Sequence, residues 1–238
     1  MPDYLGDFRD SLGKDAVSVG TLSEPSLEKI ARLKPDLIIS AKVRHEAIHG
    51  ELSKIAKAVF SDTTSATWKQ NVELLAEAVG KEDLARTRLT EYQQRAAKIG
   101  DAVRAASGKN PVVSVVRFVD GPTRLYQKLS FSGIVLADAG FDRPASQQTS
   151  EPNKIAVEIS EERIPDADAD HIFITVYADG KGESAAAKQK FAANPLWSRL
   201  AGTTHEASDT TWMTAVGLPG AHAILDDLAA AFGVPPGR

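Results

Sequence analysis

Residues 26–39 read SLEKIARLKPDLII, and residues 160–173 read SEERIPDADADHIF. Set one above the other, Ser26 falls on Ser160, Glu28 on Glu162, Ile30 on Ile164, Asp36 on Asp170 and Ile38 on Ile172, and upstream in the same frame Glu24 falls on Glu158. Each copy reads as a helix, an aspartate and then a short apolar, β-rich run (LIIS, IFITV), the pattern of strands buried in parallel sheets. A repeated helix-then-strand unit predicts two lobes of similar build.

The surroundings of the first copy extend the pattern. Pro25 suits a first helical turn, Leu27, Ile30, Ala31 and Leu33 supply an apolar face, and Lys34-Pro35-Asp36 breaks the helix. Residues 44–57 read as a second helix, AVFS (58–61) as a strand, and residues 67–79 as a helix closed by Gly80. Alternating strand and helix means an α/β fold. From Glu82 to Ala106 the chain holds no proline, and its first glycine there is Gly100. Leu84, Leu89, Tyr92, Ala96, Ile99 and Val103 recur at helical spacing among charged and amide residues. A helix of that length spans roughly 38 Å and reads as a connecting strut. After it comes a fresh strand, PVVSVVRF (111–118), and the α/β pattern resumes. The expected organisation is an N-terminal lobe at 1–80, a connecting helix at 81–108 and a C-terminal lobe at 109–238.

Composition narrows the function classes. Across 238 residues, 42% are hydrophobic and 25% charged, as in an ordinary globular protein. The net charge of −4, without a basic block, argues against a nucleic-acid partner. No apolar run is long enough to cross a membrane. The absence of cysteine excludes disulfides and thiolate metal sites. Met1 is followed by PDYLGDF, with neither a charged region nor an apolar region of a signal peptide. The protein is therefore read as cytosolic or as having its leader upstream of this chain.

Five phrases carry a resemblance: EPSLEKIARLKPDLIIS (24–40), LSKIAKAVF (52–60), LLAEAVGKED (74–83), RLYQKLSFSGIVLADAGFDRP (124–144) and ANPLWSRLAG (193–202). They resemble the iron-siderophore-binding proteins of ABC importers, and within that group the hydroxamate (ferrioxamine- or ferrichrome-type) binders. The resemblance covers almost the whole chain, in the family's order. It implies two Rossmann-like lobes joined by one long helix, with a ferric siderophore held in the cleft between them and delivered to an ABC permease. It also implies a monomer, no enzymatic activity, no covalently bound cofactor, small lobe motion on binding, and an extracytoplasmic, lipoprotein or periplasmic location. Family members usually carry a further β-α-β unit ahead of the segment that begins here, so an N-terminally shortened lobe is the expectation.

A binder of this kind needs hydrogen-bond donors for metal-bound oxygens and aromatic faces for the organic arms, while the siderophore itself completes the iron's coordination. Arginine supplies planar forked donors and also stacks. In α/β sheets ligands gather at the carboxyl ends of strands. Arg44 follows the strand LIIS, and Arg117 closes PVVSVVRF, with Arg124 and Tyr126 just beyond a D-G-P turn. Phe131 lies in what reads as a loop before the helix SGIVLADAG. Trp212 sits in a polar, Gly-punctuated segment, and Trp68 opens a helix. These seven are the candidate ligand contacts, weighed against the commoner fates of a solvated arginine and a packed aromatic. Trp197, on an apolar turn after proline, reads as packing. The resemblance further implies one acidic residue per lobe docking onto the permease, and the internal echo offers Glu28 and Glu162, against the ordinary reading of a solvated helix face.

One motif points elsewhere. HEAIH (45–49) matches H-E-x-x-H, in which His45 and His49 on one helix face would hold zinc and Glu46 would act as base. A zinc peptidase accounts for five residues, whereas the bilobed reading accounts for the chain. Receptors for cobalamin, haem or a bare metal ion share the same build and remain alternatives, although His171, His205 and His222 are scattered in sequence.

Overall fold

The computed structural model describes residues 16–151 and 154–238. The reading of the first residues as leaderless, and the first fifteen positions of the N-terminal lobe, lie outside the described residues. The chain divides into two units, Met1–Thr87 and Arg88–Arg238.

In the first unit, helix α1 (Leu27–Leu33) starts at Ser26, whose side chain accepts a hydrogen bond from the Lys29 amide, and stops at Lys34, in the left-handed region with φ 47° just ahead of Pro35. Strand β1 (Leu37–Ala41) pairs in parallel with β2 (Lys57–Ser61), Leu37 opposite Lys57 through Ala41 opposite Ser61. The crossover is not the single helix expected over 44–57. It consists of α2 (Lys42–His45), a 3-10 turn (Glu46–Ile48) and α3 (His49–Ile55), because His45 and Ile48 leave helical geometry at φ −131° and −110°. Ile30, Ile38 and Leu52 form the small core. Helix α4 (Trp68–Val79) ends at Gly80, whose φ of 65° forms the left-handed cap that glycine adopts without strain.

Helix α5 (Glu82–Ser107) runs 26 residues without a break. The division between units falls inside it, between Thr87 and Arg88. Leu89, Tyr92, Ala96, Ile99 and Val103 are buried as their spacing predicts, whereas Leu84, in the same pattern, is exposed. Gly100 permits a close approach on this helix: a Cβ there would lie 1.9 Å from the Ala139 carbonyl oxygen.

The second unit is built on a five-stranded mixed sheet of β3 (Val113–Phe118), β4 (Thr123–Tyr126), β5 (Ala156–Ile159), β6 (His171–Val176) and β7 (Thr203–Glu206), in the order β5-β4-β3-β6-β7. β3, β6 and β7 are mutually parallel and β4 is antiparallel to both its neighbours. Side chains alternate across the sheet. Val116, Phe118, Leu125, Ile172 and Ile174 enter one core with Ile164 and Phe191, the latter on α7 (Glu183–Ala193). Trp197 packs against this core, 6.3 Å from Phe118 between ring centres. Phe173 points to the other face, where α6 (Phe131–Asp138) and α8 (Leu218–Phe232) complete the layers.

The internal echo is structural as well. Ser26 and Ser160 both stand immediately before a helical turn, Ile30 and Ile164 are both buried, and Leu37 and His171, aligned in the frame, each open a strand. Each strand then crosses over to a parallel neighbour, β1 to β2 and β6 to β7. The fold is α/β, with two lobes and a long helix, as expected.

Candidate functional site

Arg117 is the penultimate residue of β3, and its neighbours Val116 and Phe118 face the α7 core, so its own side chain emerges on the opposite face. There it meets Asp209, three residues past the end of β7. Arg117 donates from Nε to Asp209 Oδ1 and from Nη2 to Oδ2, both at 2.7 Å, and from Nη1 to the Tyr126 hydroxyl at 2.8 Å. The guanidinium also lies 5.9 Å from the Tyr126 ring centre and 5.3 Å from that of Tyr177. The Arg117 and Asp209 side chains keep only 12% and 9% of their surface, while Tyr177 stays 42% exposed. A forked pair of this geometry is strong, and removing one partner of a buried pair typically costs about 3–5 kcal/mol. Burial works against the Arg117 charge, but the hydrogen bonds and charges of Asp209 and Tyr126 more than offset it, holding the guanidinium above its ordinary value.

The loop after Tyr177 is fixed by Asp179, whose carboxylate accepts from the amides of Lys181, Gly182 and Ser184 at 2.8, 2.6 and 2.5 Å. Hydrogen bonds from Ser184, then from Lys181 and Gly182, hold its carboxyl well below the usual range. The carboxyl ends of β3, β6 and β7 thus present a forked cation, the Tyr177 ring and a matching carboxylate, and antiparallel β4 brings the buried Tyr126 phenol to the same guanidinium. That edge can stack an organic ligand and donate to its oxygens.

Sequence reasoning placed Arg117 and Tyr126 together here and missed Asp209 and Tyr177. Both missed residues follow strand ends, the signal that singled out Arg117. The other candidates go elsewhere. Arg124 pairs across β4 and β5 with Glu158 at 3.4 Å. Phe131 is not in a loop: Ser130 caps α6 by accepting from the Gly133 amide, and Phe131 opens that helix at 2% exposure. The expectation that Trp212 offers a ring to ligand is corrected. It is fully buried in a π-helical turn (Thr210–Thr214), stacks on Phe173 at 4.6 Å and donates from Nε1 to Asp227 at 2.8 Å. Trp68 opens α4 as read, and is likewise buried at 1%. Arg44 lies exposed on α2, three residues beyond the end of β1, with no ion pair among the described residues.

Glu28 and Glu162 each stand nine residues before the strand that follows, at Leu37 and His171. Glu28 is exposed and pairs with Arg32 one turn on, at 2.7 Å. Glu162 is exposed at the start of a 3-10 segment (Glu161–Ala167). Hydrogen bonds from Ser160 and its own backbone hold its carboxyl below the usual range. It borders a pocket of about 770 Å³ whose lining includes Pro122, Ile159 and Phe191.

The H-E-x-x-H residues do not form a metal site. The helix break after His45 removes the shared face, and both His45 ring nitrogens are engaged, Nδ1 with Ser40 Oγ at 2.6 Å and Nε2 with the Leu22 carbonyl at 2.8 Å. His49 packs edge-on against Phe60 at 4.7 Å. Two histidines that looked scattered do meet: His171 Nδ1 and His205 Nε2 lie 2.9 Å apart.

Comparison with known proteins agrees with this architecture. Residues 5–205 match the periplasmic binding protein family model. The chain is 37% identical to the probable siderophore-binding lipoprotein YfiY of Bacillus subtilis, over 97% of this chain and 72% of that protein. It is 29% identical to the achromobactin-binding periplasmic protein of Dickeya dadantii, over 92% and 73%. Among solved structures, Staphylococcus aureus SirA complexed with staphyloferrin B superposes with a TM-score of 0.85 at 31% identity, covering 96% of this chain and 82% of that one.

Proposed function

Because the chain belongs to the periplasmic binding protein family, a family of non-enzymatic substrate-binding proteins of ABC transporters, we propose that it captures a ferric siderophore outside the cytoplasm and hands it to an importer for iron uptake. The observation that carries this reading is the Arg117 edge, a stacked and hydrogen-bonded guanidinium beside the exposed Tyr177 at the carboxyl ends of parallel strands. The likeness to a siderophore-binding relative and to SirA with its ligand supports it. The iron arrives as cargo with its coordination completed by the siderophore, so the protein's part is to bind and orient the chelate. Arg117 with Tyr126 and Tyr177 is assigned to the ligand in the second unit, and the exposed Arg44 in the first. Glu28 and Glu162 are assigned to the permease.

The chelating groups are hydroxamates in the reading from sequence phrases. A second reading, carboxylates of the citrate type, is favoured by a 29%-identical Fe(3+)-citrate-binding protein of Bacillus subtilis. Calorimetric titration with ferrioxamine B, ferrichrome, ferric citrate and the iron-free chelators tests both. Sub-micromolar binding of a ferric form, weakened about tenfold or more by Arg117→Gln in a folded protein, is expected. Binding of none of the ferric chelates would reject the reading, and the chelate preferred decides between the two classes.

A further inference from the structure

Arg117 is the residue a ligand oxygen would seek, yet its fork is already closed. Asp209 takes Nε and Nη2 through both carboxylate oxygens, and Tyr126 takes one hydrogen of Nη1. A guanidinium has five N–H groups, so one on each terminal nitrogen is left for a ligand. The pair is neutral as a unit and nearly buried. A chelate arriving beside Tyr177 therefore meets a polarised donor and one exposed ring with no net positive charge. An anionic chelate would have to lose its water and compete with Asp209 for the fork, while a neutral or cationic chelate can use the free N–H groups and the carboxylate's field together.

We propose that Asp209 sets the charge selectivity of the binding site, favouring ferric chelates that are neutral or cationic over anionic ones of the same shape. The proposal rests on the siderophore-binding reading and goes beyond it, since that reading alone is indifferent to chelate charge. Asp209 acts through Arg117 and is a positioning residue rather than a ligand contact.

The test uses one chelate body with three tails: ferrioxamine B, whose pendant amine is an ammonium, its N-acetyl derivative, which is neutral, and its N-succinyl derivative, which is an anion. Ferric citrate serves as an unrelated anion. Wild type is expected to bind the ammonium and acetyl forms more tightly than the succinyl form. Asp209→Asn, which keeps the shape of the side chain and removes its charge, is expected to move the succinyl-to-ammonium affinity ratio about tenfold toward the anion and to strengthen ferric citrate binding relative to wild type. Arg117→Gln with Asp209→Asn removes both charges and should return the wild-type order whatever its overall affinity. If Asp209→Asn fails to fold by circular dichroism, Asp209→Ser, a smaller neutral replacement, carries the test with the same expected shift. A loss of structure alone would lower all affinities without reordering them. A wild type indifferent to tail charge, an Asp209→Asn ratio unchanged in a folded protein, or a double variant with a new order would overturn the proposal. A wild type that binds none of the four probes would instead overturn the siderophore reading on which it stands.

Discussion

His171 and His205 face each other across β6 and β7 with a ring nitrogen of each 2.9 Å apart, and their rings stack at 5.2 Å. One ring must donate and the other accept, so the arrangement excludes the doubly protonated state. Phe232 from α8 lies 4.3 Å from His171, Phe173 lies 4.8 Å from His205, and the nearby charges are Asp170 and Lys109, themselves paired at 2.5 Å.

This pair predicts acid sensitivity. Burial lowers both imidazoles below 6.5, and for His171 the charge of His205 adds to it. The unfolded chain then binds more protons than the folded one as pH falls through 6.5. The stability contribution is therefore complete above that value and is lost below it. Thermal unfolding followed from pH 7.5 to 5.0 should show a falling midpoint. In His205→Gln the fall should be shallower, with the remainder coming from His171, still lowered by burial, and from His222, lowered by burial and by Arg95.

Trp212 predicts a stability defect rather than a binding one. Trp212→Ala removes a fully buried ring from its stack on Phe173 and should cost about 3–5 kcal/mol. Trp212→Phe keeps a ring but leaves the half-buried Asp227 without its indole donor, and should cost about 1–2 kcal/mol. Denaturant titration measures both. Chelate affinity of the folded fraction of Trp212→Phe should match wild type.

Gly100 and Gly50 predict opposite signs for one substitution. Alanine is the better helix former at either place. At Gly100 its methyl would strike the Ala139 carbonyl at 1.9 Å, whereas at Gly50 nothing lies within 4 Å. Gly100→Ala should lower stability by about 2 kcal/mol despite the gain in propensity, and Gly50→Ala should raise it by about 0.5 kcal/mol. Melting curves of the two variants decide.

Permease docking through Glu28 and Glu162 predicts a separation of transport from binding. The double variant Glu28→Ala, Glu162→Ala should bind ferric chelate like wild type in vitro, yet support uptake of radioactive iron in cells about tenfold less well. Unchanged uptake would remove both residues from that role.

Much of the scaffold was legible because periodicity reports it directly. The long helix from Glu82, the Gly80 stop and the helix-then-strand echo all follow from spacing and from residues with narrow backbone preferences. The fates of single side chains were less legible. Trp212 sits among Ser, Asp and Thr, a setting that reads as surface, but the π-helical turn there rotates it inward against Phe173. HEAIH has helical spacing, but the chain abandons the helix at His45, whose ring is drawn to Ser40 and Leu22. Arg117 was found because it ends a strand. Asp209 was not, because its pairing joins positions 92 residues apart.

Burial of Trp212 and Trp68 changes how light reports on this protein. Indoles shut away from water emit toward the blue, and a ferric chelate that absorbs in that region can drain their excitation through space without touching either ring. Loss of emission on adding such a chelate measures occupancy and proximity, and is no evidence of stacking. The exposed phenol of Tyr177, which can be nitrated to give a visible, environment-sensitive chromophore, is the residue whose spectrum would register contact itself.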